Sequence, residues 1–208
     1  RSAATSAGAT SISGRAHLVR RGDHLAVEMA DGSRIQPETL IVAAGAWSAP
    51  LLNQVGIPVP ITPQRGQLLH LGWDTASQPW PVIELASHHY LLGIGDRLVV
   101  GATRETTGFE PFPTPAGIQD VLAEALAIAP HLASAPILET RVGLRPLSPD
   151  GLPLVGRIPQ TSNAWLCASH GPLGLTLGPW TAVMLAQAII GEEPTPPLHG
   201  YRPDRFTA

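Results

Sequence analysis

The residues of this chain best suited to chemistry lie towards its end. Arg145 sits in a Gly-Leu-Arg-Pro step, and a guanidinium offers two parallel donors that match a carboxylate. The same fork serves a structural ion pair inside a sheet, and residue type alone leaves both roles open. Further on, Ser169–Gly174 forms a glycine-rich loop that leads into an apolar helix. Gly171 and Gly174 either let the backbone approach a ligand closely or simply turn a strand into a helix. Tyr90 opens a strand-like stretch, where a phenol either packs on a neighbouring strand or faces a bound molecule. His88 and His89 precede it; adjacent strand residues point to opposite faces, so this pair does not share a metal. The single cysteine, Cys167, excludes an internal disulfide and a cysteine-based zinc site. It lies in the apolar run Ala164–Ala168 and reads as a buried, inert thiol. No Ser/His/Asp elbow and no His-Glu-x-x-His occurs, no metal site is expected, and Asp150 is explained by its Pro-Asp-Gly turn.

The elements that must position these residues are mostly short strands joined by tight turns, in keeping with 22 prolines and 21 glycines. Arg15–Val27 alternates around an Arg-Arg-Gly-Asp turn and predicts a hairpin. Thr39–Ala44 is a run of β-branched and small residues ending at Gly45, which suits a strand buried on both faces. Ser48 is the expected N-cap of a short helix ending near Gly56. After a crossover marked by Pro58, Pro60 and Pro63, strands are expected at Gly66–Leu71, Val82–Leu85, His89–Leu92 and Leu98–Gly101, in an antiparallel sheet. Ile118, Val121, Leu122, Ala125 and Leu126 recur at helical spacing and predict a helix over Ala116–Ala129, closed by Pro130. A strand at Arg141–Leu147 follows, and the last helix spans about Gly178–Ile190 with Pro179 at its start.

With 208 residues, 44% of them hydrophobic and 14% charged, the chain is long enough to bury a substantial core and reads as globular and soluble. Its formal charge of −3 comes with scattered basic residues, which argues against a nucleic-acid partner. The longest apolar stretch, Trp180–Ile190, is too short for a membrane span and contains Thr181 and Gln187. No secretory h-region occurs in Arg1–Ser13, so the cytoplasm is the expected compartment.

Four segments, in order, carry a resemblance to a known family: Thr39–Leu52, Pro63–Leu69, Tyr90–Thr103 and Arg141–Gly178. Together they resemble the D-amino-acid-oxidase-like FAD-dependent oxidoreductases, of the glycine oxidase and D-amino acid dehydrogenase type, from about Ala9 onward. The resemblance implies a mixed α/β fold, with an antiparallel substrate-binding sheet flanked by parts of an FAD-binding Rossmann-like domain. It divides the chain into residues 1–62 in the FAD-binding domain, 63–143 in the substrate-binding domain and 144–208 returning to the first. It implies a substrate carboxylate on Arg145, with Tyr90 contacting the substrate. It places non-covalent FAD along Ala44, Gly45 and Trp47, and along His170, Gly171, Pro172, Leu173, Gly174, Leu175 and Thr176. The implied reaction is hydride transfer from an amino acid or secondary amine to flavin N5.

Two departures qualify the implied site. Many relatives carry a basic or bulky polar residue after the loop glycine, where Pro172-Leu173 stand here, giving a more apolar pocket mouth. No Gly-x-Gly-x-x-Gly occurs in the chain, although FAD pyrophosphate is held by the amides of such a turn at a helix N-terminus. The chain therefore reads as the C-terminal portion of such an enzyme. The missing half or a partner chain supplies the glycine turn. The rival expectations are a non-catalytic truncated fragment and one subunit of a heteromeric flavin dehydrogenase.

Overall fold

The computed structural model describes residues 2–74 and 79–206. After a short helix α1 (Ser2–Ser6), the expected hairpin forms from β1 (Ala16–Arg21) and β2 (His24–Met29). It turns at Gly22, whose φ of 64° lies in the left-handed region that glycine enters without a steric cost. Strand β3 (Arg34–Ile35) completes this small antiparallel sheet. Next come β4 (Leu40–Val42), a 3-10 turn at Gly45–Trp47 and helix α2 (Ser48–Asn53). Ser48 does not cap this helix as expected, because the 3-10 turn carries the chain straight into it and Trp47 takes the cap position. The Ser48 hydroxyl is instead fully buried, with no hydrogen-bond partner among the described residues.

The largest sheet contains β5 (Thr62–Gly72), β6 (Ile83–Glu84), β7 (Tyr90–Ile94), β8 (Arg97–Gly101) and, after helix α3 (Pro115–Ile128), β9 (Ile137–Leu147). Its spatial order is β6-β7-β8-β5-β9, antiparallel throughout. Strand β5 reaches further back than its apolar run predicts. Pro63 stands at its second position, near a strand start, where a missing N–H is tolerated. Strand β9 also starts early, because Ile137 and Leu138 lie exposed in the ladder and lack the alternation that would announce them. Helix α3 begins as its sequence requires, with Pro115 in the first turn and Thr114 Oγ1 accepting from Gly117 N at 3.2 Å. Its apolar stripe, Val121 and Ala125 with Ile118, Leu122 and Leu126 beside them, covers Leu69, Leu71, Leu91, Leu98 and Val100. Each fully buried leucine there contributes about 1.5–3 kcal/mol.

The return segment forms β10 (Leu154–Arg157) and β11 (Ala164–Ala168), an antiparallel pair. Strand β11 also pairs in parallel with β4, setting Ala164 beside Leu40 and Leu166 beside Val42. The order is β10-β11-β4; among the described residues β4 pairs with a strand on one side only, and Ile41 is half exposed. Asn163, buried just before β11, bonds both the N–H and C=O of Leu25 (2.9 Å each) and the carbonyl of Pro37 (3.1 Å). Helix α4 (Gly174–Ile189) starts earlier than predicted, which puts Pro179 inside it. Gly178 has no Cβ to clash with the proline ring, and the Thr181 hydroxyl bonds the carbonyls of Leu177 and Gly178 (3.0 Å each).

The chain divides into two compact units, one of Arg1–Pro60, Leu152–Ala168 and Leu175–Ala208, the other of Ile61–Gly151 and Ser169–Gly174. The return expected at residue 144 falls inside β9. Residues 144–147 keep their pairing with β5, and the second unit runs on to Gly151. No helix among the described residues is long and apolar enough to cross a membrane.

Candidate active site

The faces of the five-stranded sheet differ in kind. On the face under α3, Arg65 and Gln67 sit in a buried polar network, in which Arg65 Nε has no partner among the described residues. Arg65 Nη2 meets Glu105 Oε2 at 2.6 Å, and its guanidinium lies 5.5 Å from the Phe112 ring. Gln67 Nε2 donates to Glu105 Oε1 (2.7 Å) and Thr114 Oγ1 (3.0 Å), and its Oε1 accepts from Thr114 N (2.8 Å). Thr103 Oγ1 donates to Glu105 Oε1 at 2.5 Å. Burial pushes the Glu105 carboxyl up, but the hydrogen bonds from Arg65, Thr103 and Gln67 outweigh it and hold the group below its ordinary value. Gln67 is packed so closely against α3 that a methyl group at Gly117 would lie 2.1 Å from its Nε2.

The opposite face carries Arg145 and Tyr90. Arg145 is paired with Gln64 across the β5–β9 ladder, and its guanidinium lies across Gly66. A methyl group at Gly66 would stand 2.5 Å from both terminal nitrogens, so only glycine leaves the seat open. Among the described residues, one hydrogen bond fixes this side chain, from Nη1 to the carbonyl of Thr103 at 2.9 Å. Among the described residues no carboxylate pairs with Arg145, unlike Arg65. Burial lowers its pKa and the nearby charge of Arg104 adds to that, while Tyr90 opposes both. Tyr90 lies over Gly101 on the neighbouring strand, where a methyl group would come within 3.1 Å of its Oη. Burial raises the Tyr90 pKa against the opposing charge of Arg145, so the hydroxyl keeps its proton at neutral pH.

The sequence-derived flavin residues fall in both units. Within the second unit, His170 precedes a 3-10 turn at Gly171–Leu173, and the Gly171 backbone packs against the Leu147 side chain at the end of β9. Burial lowers the pKa of His170, leaving the imidazole neutral near pH 7. Pro172 and Leu173 are exposed, and Gly174 closes the segment. Within the first unit, Ala44, Gly45 and Trp47 follow the end of β4, with Trp47 54% exposed. Leu175 and Thr176, at the start of α4, belong to the same unit, and Leu175 is 97% exposed. Sequence reading passed over Gly66 and Gly101 as seats for the two side chains. Their signal was present, since each is a glycine inside an apolar strand, where close approach of another group is one standing reason for the type.

A half-buried arginine on a glycine-lined sheet stands in one chain with strand–turn–helix segments that carry glycines at positive φ. Residues 1–188 match the family model DAO, FAD dependent oxidoreductase, and the chain belongs to this FAD-dependent family. A solved iminodiacetate oxidase from Chelativorans sp. BNC1 superposes with a TM-score of 0.89 at 38% identity, over 96% of this chain and 55% of that one. An uncharacterized oxidoreductase, YurR, of Bacillus subtilis (strain 168) is 36% identical over 206 residues, 97% of this chain and 55% of its own length. A glycine oxidase of Pseudomonas aeruginosa is 32% identical over 177 residues, 85% of this chain and 48% of its own length. The chain thus spans about half the length of the curated relatives it matches.

Each unit has one segment with a feature that suits the family's cofactor, while no Gly-x-Gly-x-x-Gly turn for its pyrophosphate occurs in the sequence. Gly45 has φ +56° and open space where a side chain would stand, which gives a flat ligand access to its backbone. Ser169 holds φ +65°, rare for a residue with a side chain, and its fully buried hydroxyl has no partner among the described residues. Both segments follow the carboxyl ends of the parallel strands β4 and β11, the position at which open α/β sheets take their ligands.

Proposed function

We propose that this chain supplies the substrate-binding sheet and part of the flavin-binding layer of an FAD-dependent oxidoreductase acting on an amino acid or on a secondary amine that bears a carboxylate. The observation that carries the reading is Arg145, half-buried over Gly66, fixed by one carbonyl and, among the described residues, left without an acid. Its unused donors are those a carboxylate accepts in parallel. When bound, FAD supplies the acceptor for the hydride leaving the substrate α-carbon. The chain's own work is positioning: Arg145 fixes the carboxylate end, and the protonated Tyr90 hydroxyl, electrostatically coupled to Arg145, donates a second hydrogen bond to the same group. The apolar Pro172-Leu173 pair limits water at the reacting carbon. No general base is required of the sheet, because the substrate enters as its free amine.

The glycine turn that holds pyrophosphate is supplied from outside these 208 residues, by the same polypeptide or by a partner; the one-sided pairing of β4 favours a strand being added there. Glycine and iminodiacetate, named for the relatives, are the first substrates to try. The test is anaerobic reduction of the FAD-loaded protein by these amines, followed by bleaching of the flavin's visible band. Arg145→Lys keeps the charge and loses the fork, and should lower kcat/KM roughly ten- to a hundredfold. Equal turnover of neutral amines, with kcat/KM untouched in the variant, would remove Arg145 from the site and overturn the reading.

A further inference from the structure

The second guanidinium on the open face has no assigned role. Arg104 lies between Thr103 and Glu105, both of which turn towards the Arg65–Gln67 network. This segment is extended against β5, with Arg65 N bonding Glu105 O (2.8 Å) and Glu105 N bonding Arg65 O (2.9 Å). Extended residues alternate faces, so Arg104 projects from the opposite side, the side of Gly66. One step along the same antiparallel bridge sets Arg104 beside Gly66, on the flank opposite Gly143. The Arg145 guanidinium crosses that glycine and bonds the carbonyl of Thr103, the residue preceding Arg104. Two arginines therefore converge on one patch of sheet from either side.

Among the described residues no acid pairs with either of them. The acids near this segment, Glu105 and Glu110, both pair with Arg65. Among the described residues no carboxylate pairs with Arg104, and it is exposed. Arg104 adds to the forces that lower the Arg145 pKa, after burial, so the two charges feel one another. Like charges held close without a counter-ion disfavour each other, and an incoming anion relieves the strain in proportion to its charge. A single carboxylate on Arg145 neutralises one of them.

We propose that Arg104 is a specificity-determining residue that binds a second carboxylate, so that the site selects an amine carrying two carboxylates over one carrying a single one. This inference rests on the reading of Arg145 as the holder of the first carboxylate. The preference comes from the substrate's far end, on the exposed side of the seat.

A matched pair of substrates isolates the effect: iminodiacetate and N-methylglycine share the glycine unit and differ by one carboxylate. In the FAD-loaded enzyme, KM and kcat for both are measured for the parent, Arg104→Ala, Arg104→Gln and Arg145→Lys. Arg104→Ala should raise the ratio of the diacid KM to the monoacid KM about tenfold, the weight of one charge-assisted contact. Arg104→Gln, which keeps length and hydrogen bonding, should recover part of that ratio. Arg145→Lys should raise both KM values together. A ratio unmoved by either Arg104 variant, with Arg145→Lys impairing both substrates, overturns this inference alone. If Arg145→Lys impairs neither substrate, the underlying functional reading fails with it.

Discussion

Arg65 and Arg145 project from neighbouring strands of one sheet, to opposite faces, and their surroundings could hardly differ more. Arg65 is closed in by Glu105, Glu110 and the Phe112 ring beneath the α3 side of the fold. Arg145 is no less deliberately held, yet by a main-chain carbonyl and a glycine floor, with no acid beside it. A buried guanidinium that the fold needs is matched with carboxylates from the same chain. The half-buried Arg145 is oriented by neutral groups, as the proposed role in holding a ligand requires.

The comparison breaks most visibly through Glu105. Glu105→Ala leaves the Arg65 guanidinium, with 5% of its side chain exposed, buried beside only the partly exposed Glu110, and should cost about 3–5 kcal/mol of unfolding free energy. Arg145→Ala removes no ion pair and should cost far less in the same denaturation assay while abolishing selection for carboxylates. Equal losses for the two variants would show that Arg145 is a structural arginine after all.

The two glycine seats sharpen the same point at a smaller scale. Gly117→Ala drives a methyl group into the enclosed Gln67 and should destabilise by about 1–3 kcal/mol. Gly66→Ala meets the end of a flexible side chain, so Arg145 should be displaced at little cost in stability while KM for a carboxylate substrate rises. Thermal denaturation and substrate titration, run on both variants, read the two effects separately.

The smallest expected effect is a pH limb. His70, buried on the open face, has its pKa lowered by burial first, then by Arg141 and Arg97, against Glu139. A depressed histidine contributes stability that is fully present above its unfolded value of 6.5 and lost as pH falls through the lower folded value. Stability should therefore decline slightly below pH 6.5, and His70→Gln should flatten that decline in a denaturant series at several pH values.

Local pattern made helix α3 and most strands legible, because Val121, Ala125 and their neighbours repeat at the helical period and face a continuous apolar cluster. The two strands of the parallel pair, β4 and β11, coincide with the apolar runs Thr39–Ala44 and Ala164–Ala168. What sequence could not show were relations across strands. The early start of β9 rests on pairing with β5, not on its own exposed Ile137 and Leu138. Helix α4 runs through Pro179, where local rules place a boundary, with Gly178 before it leaving room for the proline ring. In the candidate site, Arg145 stood out by its company of glycine and proline. Arg104 did not, since its role depends on its neighbours facing away and on a register with Gly66 that no spacing encodes.

The three residues of β4 have a bearing on handling this polypeptide in the laboratory. Hydrogen-bonded to β11 alone, β4 offers a row of amides and carbonyls with an exposed isoleucine beside it. Such a border is a template on which a second copy can crystallise its own strand. Expressed by itself, the chain should oligomerise as concentration rises, and light scattering would register the growth. A lysine substituted at Ile41 should suppress that growth, as would any companion segment that seals the same border.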